Sequence, residues 1–509
     1  MSQVNVQNVF KGPDSVINYF NPDLQPPLPL VEVPPELNPF RGDNVRIYAK
    51  MLTTLPAQNV KMFPALNMLL QDPTAASKSI VEASSGSTAL SLSMASRVLW
   101  GNEDVCAYVT NKKHPDQLRI LRFFGLKVSL YGGLAQQEPH DPRGIMWRLR
   151  KLAKHDESVC YPGQYDNDHN WKSHTRWTGP QILQQLPEIN VLCTTVGTGG
   201  CITGTGVYLK SQKKSVKVVG VCNVFGDPTP GPRHFPGFES SRFPWRDTID
   251  TFESVASMDS YDMSMQMSRR GIICGPSSGE ALCGLIQYLQ KIKDEGNLQD
   301  LADNSSREIS CVFICCDLPY QYMDGYFQKL QDEKFPPIMN EILLKCDQDR
   351  YDERWELTPE EAVLAVSRKI KDNQGPLRRS CNRQSCRERA SCRSYRRTQP
   401  TVLDIRQGSD FRKGHIQGSI SSPLKNLSEM TEDVFGDPNA IYLHWGNLKS
   451  KFDLEGHRIG SKHSPVLILC YDGDISRLAT SMLRGRGYTA FGVQGGFPAL
   501  RLYLKERGK

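Results

Sequence analysis

Several features that would place this 509-residue chain in a class at once are missing. No run of 18 apolar residues occurs, so no membrane-spanning helix is expected. The first 30 residues have no basic start followed by an apolar stretch, which argues against a secretory signal; Asp14, Asp23 and the lack of Arg argue against a mitochondrial presequence. There are 15 cysteines but no CxxC pair, so a zinc or iron–sulfur site has little support and no metal is expected. Their odd number, the adjacent Cys315 and Cys316, and positions inside apolar runs such as Val191 to Cys193 read as buried, reduced thiols of a cytoplasmic protein. One-signed charge is also scarce outside a single segment. Residues 376–397 hold eight Arg and one Glu and so carry the whole formal charge of +7, which removes the basis for nucleic acid as a partner.

The length predicts two or three domains, and 39% apolar residues suffice for real cores. Residues 1–40, rich in Pro and Asn, read as an extended arm. Short apolar runs then alternate with helical patterns up to about residue 335. Strands are predicted at Val105 to Val109, Val128 to Tyr131, Val191 to Thr195, Val216 to Val221 and Cys311 to Cys315. Helices are predicted at Ala65 to Leu70, Ala89 to Leu99, Pro115 to Phe124, Pro180 to Leu186 and Glu280 to Asp294. This rhythm is that of an α/β fold with a largely parallel sheet, whose ligands sit beyond the carboxyl ends of the strands. Residues 336–354 read as a linker. A helix follows over Leu357 to Asp372, with Thr358 as its N-cap and Pro359, Glu360 and Glu361 in its first turn. The Arg-rich stretch within 373–400 reads as a disordered insertion. Beyond it a second α/β rhythm has strands at Val402 to Ile405 and Val466 to Cys470 and a helix at Ser476 to Arg486.

Four motifs carry the chemistry of the first part: Leu55-Pro-Ala-Gln-Asn-Val-Lys61, Ile80-Val-Glu-Ala-Ser-Ser-Gly-Ser-Thr88, Val196-Gly-Thr-Gly-Gly-Cys-Ile-Thr-Gly204 and Gly271-Ile-Ile-Cys-Gly-Pro-Ser-Ser-Gly279. A lysine amine can hold an aldehyde cofactor as a Schiff base. Successive glycines after a strand turn backbone N–H groups toward a phosphate at a helix start. A dinucleotide fingerprint is excluded, because after Gly197 and Gly199 its third glycine falls on Ile202. In this order, together with Gln164-Tyr-Asp-Asn167, Asn170, His174 and Thr178-Gly-Pro180, the motifs resemble the cysteine synthase and cystathionine β-synthase family of fold type II enzymes over residues 40–330.

The resemblance implies two α/β subdomains, pyridoxal 5′-phosphate as cofactor, an amino-acid substrate, a sulfur donor or acceptor, and a homodimer. Lys61 corresponds to the cofactor lysine, and Ser87, Gly197, Thr198, Gly199, Gly200, Cys201 and Ser277 to cofactor contacts. Ser84, Ser85, Gly86, Thr88 and Gln164 correspond to substrate contacts. Ser277 stands at the partner of the pyridine nitrogen; a serine there makes the ring a weaker electron sink than an aspartate would. Departures are Asn59, Met62 and Phe63 around the lysine, Ser87 for the family's Asn, Ala89 for a Gly, and Cys201 for the usual Thr.

In the second part, Asp404-Ile-Arg406, Gly414-His-Ile-Gln-Gly418, Cys470-Tyr-Asp-Gly-Asp-Ile-Ser476 and Gly495-Gly496 resemble rhodanese sulfurtransferases over 355–509. That implies Cys470 as a persulfide-forming thiol at the mouth of a strand–helix loop. Asp472 and Asp474 act against a low thiol pKa, and Ile475 stands where the family often has Arg. Three functions remain open at this level: β-replacement on a serine- or cysteine-type amino acid, a β-eliminating lyase such as a cysteine desulfhydrase or serine/threonine dehydratase, and a degenerate cofactor-binding scaffold.

Overall fold

The computed structural model describes residue 5 and residues 7–507 apart from 85, 114, 134–140, 304–306, 368–399, 428–433, 457–458 and 463. The Arg-rich segment 376–397 and Ser85 therefore lie outside the described residues. The chain divides into two compact units, Met1–Phe335 and Pro336–Lys509.

Among its described residues the first unit holds ten strands: β1 (Leu30–Glu32), β2 (Val45–Met51), β3 (Ser79–Ala83), β4 (Val105–Thr110), β5 (Lys127–Tyr131), β6 (Val159–Cys160), β7 (Ile189–Thr195), β8 (Lys217–Asn223), β9 (Thr251–Val255) and β10 (Ile309–Cys315). They form a six-stranded sheet, β1-β2-β10-β7-β8-β9, and a four-stranded sheet, β5-β4-β3-β6. All pairings are parallel except β1 with β2. Every residue of β7 and β10 is buried, as expected of central parallel strands covered on both faces. Side chains alternate between two cores. Cys311, Phe313 and Cys315 enter one with Val191 and Cys193, while Val312 and Ile314 enter the other with Leu192.

The expected extended arm is instead packed into this unit. It contains a helix (Ser15–Phe20) and β1, and it buries Leu28, Val33, Leu37 and Phe40. A fully buried lysine ties it down: Lys50 Nζ donates to Leu28 O and Gln185 Oε1, each at 2.7 Å. Burial pulls the pKa of Lys50 down to about 7.

Two helices behind the phosphate-type turn approach unusually closely. A Cβ on Gly200 or Gly204, in the helix Gly200–Gln212, would overlap Asn170 Oδ1 or the carbonyl of Trp171 in the helix His169–Arg176. Glycine there is a packing requirement, set by a neighbouring backbone that cannot move aside.

The second unit holds β11 (Glu356–Leu357), β12 (Thr401–Asp404), β13 (Ile420–Ser421), β14 (Val466–Leu469) and β15 (Ala490–Val493) in one parallel sheet, β11-β15-β14-β12-β13. Residues 336–354, expected as a linker, belong to this unit, where Cys346 is buried in its main core and Leu343 packs against it. The helix expected over Leu357 to Asp372 runs Pro359–Ser367 in the described residues, and Leu357 closes β11. Its start is a capping box: Glu361 N–H donates to Thr358 Oγ1 at 3.2 Å, and Thr358 N–H to Glu361 Oε2 at 3.0 Å.

Gly204→Ala is expected to lower the unfolding free energy by about 3 kcal/mol, at the upper end of overpacking costs. Urea denaturation of the two proteins checks it; a Gly204→Ala protein as stable as the parent would show that the two helices can separate at little cost.

Candidate active site

The carboxyl ends of β3, β5, β7 and β10 in the first unit border a cavity of about 360 Å³. Lys61, Ser84, Gly86, Ser87, Thr88, Gln164, Gly197, Thr198, Gly199, Cys201 and Ser277 all line it. Gly200 does not; its Cα faces Asn170.

Lys61 sits at the N-cap of the helix Met62–Gln71. Asn59, one of the departures from the family pattern, holds its backbone. Asn59 Oδ1 accepts from Lys61 N–H at 2.9 Å and from Ser91 Oγ at 3.0 Å, while Nδ2 donates to Ala57 O at 2.6 Å. Val60 N–H donates to Cys316 O at 2.7 Å, which fastens the lysine segment to the end of β10. His174 lies behind it, held by a 2.8 Å Nδ1–Thr178 Oγ1 hydrogen bond. Burial first, and then the charge of Lys61, push the His174 pKa down to about 3, so the ring stays neutral.

The Ser/Gly loop after β3 is organised from within. Ser84 Oγ accepts from Gly86 N–H at 3.3 Å and Ala89 N–H at 3.4 Å. Thr88 Oγ1 donates to Gln164 Oε1 at 2.7 Å, and Gln164 Nε2 donates to Ala83 O at 3.2 Å. Gln164 thus spends most of its amide on the protein and keeps one N–H for a ligand. Asn170 Nδ2 donates both to Gln164 O (2.6 Å) and to Thr198 Oγ1 (3.2 Å), joining this loop to the turn after β7.

Beneath lies Glu82 on β3, fully buried, accepting from Gly163 N–H at 3.0 Å and Gln164 N–H at 3.4 Å. Burial drives its pKa up to about 8 despite these donors, with Asp166 adding to the rise.

The turn Gly197-Thr-Gly199 follows β7 directly, with Gly199 at φ +84° just before the helix Gly200–Gln212. A Cβ on Gly199 would strike Phe238. Cys201, in the first turn of that helix, lines the cavity as a thiol whose pKa burial pushes up to about 11. Ser277 lies in the first turn of the helix Pro276–Asp294.

An amine, a glycine turn at a helix start and a hydroxyl at a second helix start thus converge on one cavity of ligand size. These residues fit pyridoxal phosphate: Lys61 would hold the aldehyde carbon, Gly197 to Gly199 and Thr198 the phosphate, and Ser277 the ring nitrogen. Sequence reasoning passed over Asp317, Lys113 and Arg233, which also line the cavity. Asp317 directly follows β10, and Arg233 ends the turn-rich run Pro228-Thr-Pro-Gly-Pro-Arg. Position after a strand end was the available signal for Asp317. Arg233 is buried and its guanidinium lies 4.7 Å from the centre of the Tyr165 ring.

In the second unit, Cys470 follows β14 and is fully buried. Its Sγ accepts N–H from Gly473 (3.1 Å) and Ser476 (3.4 Å), with Asp472 Oδ1 at 3.7 Å. Burial outweighs the N–H donors and pushes the thiol pKa up to about 11. The Asp404 and Arg406 pair is buried: Arg406 Nη2 lies 2.6 Å from Asp404 Oδ2 and donates to Gly414 O at 2.9 Å, and the guanidinium stacks over Phe497 at 3.5 Å. Gly496 packs its Cα against the Cys470 carbonyl, where a Cβ would come within 2.6 Å. The Gly495-Gly496 motif therefore braces the Cys470 loop, while the Asp404 to Arg406 motif ties to the Gly414 to Gly418 motif.

The chain belongs to the pyridoxal-phosphate-dependent enzyme family, whose model matches residues 23–299, and a rhodanese-like domain model matches residues 393–502. Within that class it is similar to the N-(2-amino-2-carboxyethyl)-L-glutamate synthase of Ralstonia nicotianae, at 29% identity over 57% of this chain and 84% of that protein. It is also similar to the cysteine synthase of Aquifex aeolicus, at 31% identity over 53% of this chain and 82% of that one. A solved structure of a hydrogen sulfide-producing enzyme from Fusobacterium nucleatum aligns with TM-score 0.49 and 22% identity, covering 58% of this chain and 94% of that one.

Glu82 makes stability depend on pH. Its folded pKa, about 8, exceeds the ordinary 4.5, so its contribution is fully present below about pH 4.5 and is lost as pH rises through 8. Glu82→Gln keeps an acceptor for Gly163 and Gln164 and removes the titration. Guanidinium unfolding at pH 5 and pH 9 is expected to show the parent losing several kcal/mol more than the variant over that interval.

Proposed function

We propose that this chain catalyses replacement at the β-carbon of a serine- or cysteine-type amino acid, using pyridoxal phosphate on Lys61, with the rhodanese-like domain as a tethered carrier of sulfur. The observation that carries the reading is the convergence of Lys61, the Gly197 to Gly199 turn and Ser277 on one cavity. Pyridoxal phosphate bound there supplies an electron sink for the charge that develops at the substrate α-carbon.

The residues divide the remaining work. The N–H groups and hydroxyls of the loop from Ser84 to Thr88 hold the substrate carboxylate, and the free N–H of Gln164 adds a donor. The Lys61 amine would take the α-proton of the substrate. Lys113 and Arg233 add positive charge to the cavity lining, suited to an anionic leaving group or nucleophile. Burial of Cys201 and Cys316 keeps both as thiols and so as apolar wall rather than competing nucleophiles. A homodimer and a sulfur donor or acceptor as second substrate complete the reading.

The Gly473 and Ser476 N–H groups aimed at Cys470 Sγ favour sulfur carriage in the second unit, since they suit a thiolate or persulfide. Tethering then raises the local concentration of carried sulfur at the first unit's substrate.

Protein loaded with pyridoxal phosphate is expected to show a visible absorption band that Lys61→Ala abolishes and that shifts on adding the amino acid it uses. A new amino acid as product supports replacement; a ketoacid with ammonia makes the chain a lyase. If no band appears, the chain is a scaffold.

Sulfur transfer from thiosulfate to cyanide is expected to be slow, to accelerate with pH toward 10 as Cys470 ionises, and to vanish in Cys470→Ser. Equal rates in the parent and Cys470→Ser would remove Cys470 from any such role.

A further inference from the structure

The lining of the cavity is unbalanced in charge. Three cations border it, Lys61, Lys113 and Arg233, against one carboxylate among the described residues, Asp317. Asp317 already accepts from Tyr322 OH at 2.6 Å and from Gln321 Nε2 at 3.0 Å. In the reading above Lys61 joins the cofactor, the Gly197 to Gly199 turn takes its phosphate, and the loop from Ser84 to Thr88 takes the substrate carboxylate with N–H groups and hydroxyls. None of these calls on Lys113. Lys113 is half-buried, and among the described residues its amine has no hydrogen-bond or ion-pair partner. Burial alone lowers its pKa, and no neighbouring carboxylate acts against that. A cation partly withdrawn from water without a counter-charge favours an anionic ligand.

The sheet decides which part of a ligand Lys113 would meet. β3, β4 and β5 are neighbouring parallel strands, with Ala83 paired to Tyr108 and Thr110 to Tyr131, so their carboxyl ends open side by side. β3 leads into the loop from Ser84 to Thr88. β4 leads into Lys113, whose N–H donates to Thr110 O at 3.4 Å just before the helix Pro115–Phe123. β5 ends on Tyr131, which lines the cavity and whose carbonyl accepts from Asn111 N–H at 2.9 Å. Burial and then Tyr165 raise the Tyr131 pKa while the Arg233 charge opposes the rise, and the guanidinium lies 4.7 Å from the centre of the Tyr165 ring. Neighbouring strands lie about 4.8 Å apart, close to the span between the α-carboxylate of a serine-type amino acid and a group carried on its β-oxygen. A substrate with its carboxylate in the loop after β3 therefore brings such a group to the end of β4, where Lys113 stands.

We infer that Lys113 determines specificity at this site: it receives an oxyanion carried on the β-oxygen of the substrate, and so selects a phosphate ester of a hydroxy amino acid over a neutral acyl ester. This deepens the β-replacement reading above and rests on it. Lys113 acts as a point charge, and Arg233 adds positive potential from the side of Tyr165. In the reaction the bond between the β-carbon and its oxygen breaks, the electron pair leaves with the phosphate, and the phosphate takes a proton from solvent. The α-proton goes to Lys61, as above. Lys113 forms no bond and keeps its proton; it offsets the charge that gathers on the leaving oxygen. A neutral ester carries no charge there when it binds, so it binds without help from Lys113.

The test uses the full chain loaded with pyridoxal phosphate. It is titrated with O-phospho-L-serine and O-acetyl-L-serine at one ionic strength, and the concentration that half-shifts the visible band is read. The parent is expected to need about tenfold less of the phosphate ester than of the acetyl ester, the worth of one charge-assisted hydrogen bond. Lys113→Met is expected to remove that difference by weakening the phosphate ester alone, and Lys113→Arg to keep it. If Lys113→Met fails to take up the cofactor, Lys113→Gln is read in its place. Equal half-shift concentrations for the two esters in the parent overturn the inference, whether or not the variants fold. So does a preference for the phosphate ester that persists without the lysine, since the oxyanion then lies elsewhere in the cavity. A parent that acquires no visible band with the cofactor overturns the cofactor reading, and this inference with it; a parent with the band and no preference overturns this inference alone.

Discussion

The end of β10 is the joint on which the first unit depends. The strand lies between β2 and β7 at the middle of the six-stranded sheet, and its last residues reach in two directions. The carbonyl of Cys316 takes the N–H of Val60, one residue before Lys61. The carbonyl of Asp317 takes the N–H of Gly275, and the N–H of Cys316 goes to Ser278. Three hydrogen bonds thereby relate the lysine to the helix bearing Ser277, although 216 residues separate them in sequence. Parallel strands make this possible because their carboxyl ends all open at one edge.

A second network sets the cavity wall around the loop after β3. Glu82 holds the N–H groups of Gly163 and Gln164; Gln164 holds Thr88; Asn170 ties Gln164 to Thr198. These hydrogen bonds fix the cavity wall before any ligand enters and lower the ordering cost of binding. The same enclosure explains the acid–base character of the region. Burial pushes Glu82, Cys201 and Asp317 up and His174 down, and in each case favours the neutral form. Asp317 is raised least toward neutrality among the carboxyls here because Tyr322, Gln321 and Lys61 all support its charge.

The second unit spends its motifs differently. Asp404, Arg406, Gly414 and Phe497 form a closed buried cluster beside the Cys470 loop, and Gly496 lets the chain pass against the Cys470 carbonyl. The N–H groups around Sγ have the arrangement of an anion cradle, but the sulfur is sealed and Asp472 stands beside it. Reactivity at Cys470 is therefore governed by access and ionisation more than by the presence of the thiol.

The alternating rhythm of the chain and its ordered Gly/Ser motifs were enough to define the α/β class and the cofactor family, and to single out Lys61, the Gly197 to Gly199 turn and Ser277, which the fold brings to one cavity. These are legible because close approach to a phosphate or a strand–helix turn restricts residue type locally. The short strands β1, β3, β6 and β9 and the packed N-terminal arm were not, since their pairing partners supply what their own patterns lack. Nor could local pattern tell that Gly200 packs on Asn170 rather than facing the cavity, or that Asn59, itself held by Ser91, latches the Lys61 N–H. Asp317, Lys113 and Arg233 enter the site only through the tertiary structure. A lone charged residue has no periodicity, and its role depends on which strand end and which helix start the fold sets beside it.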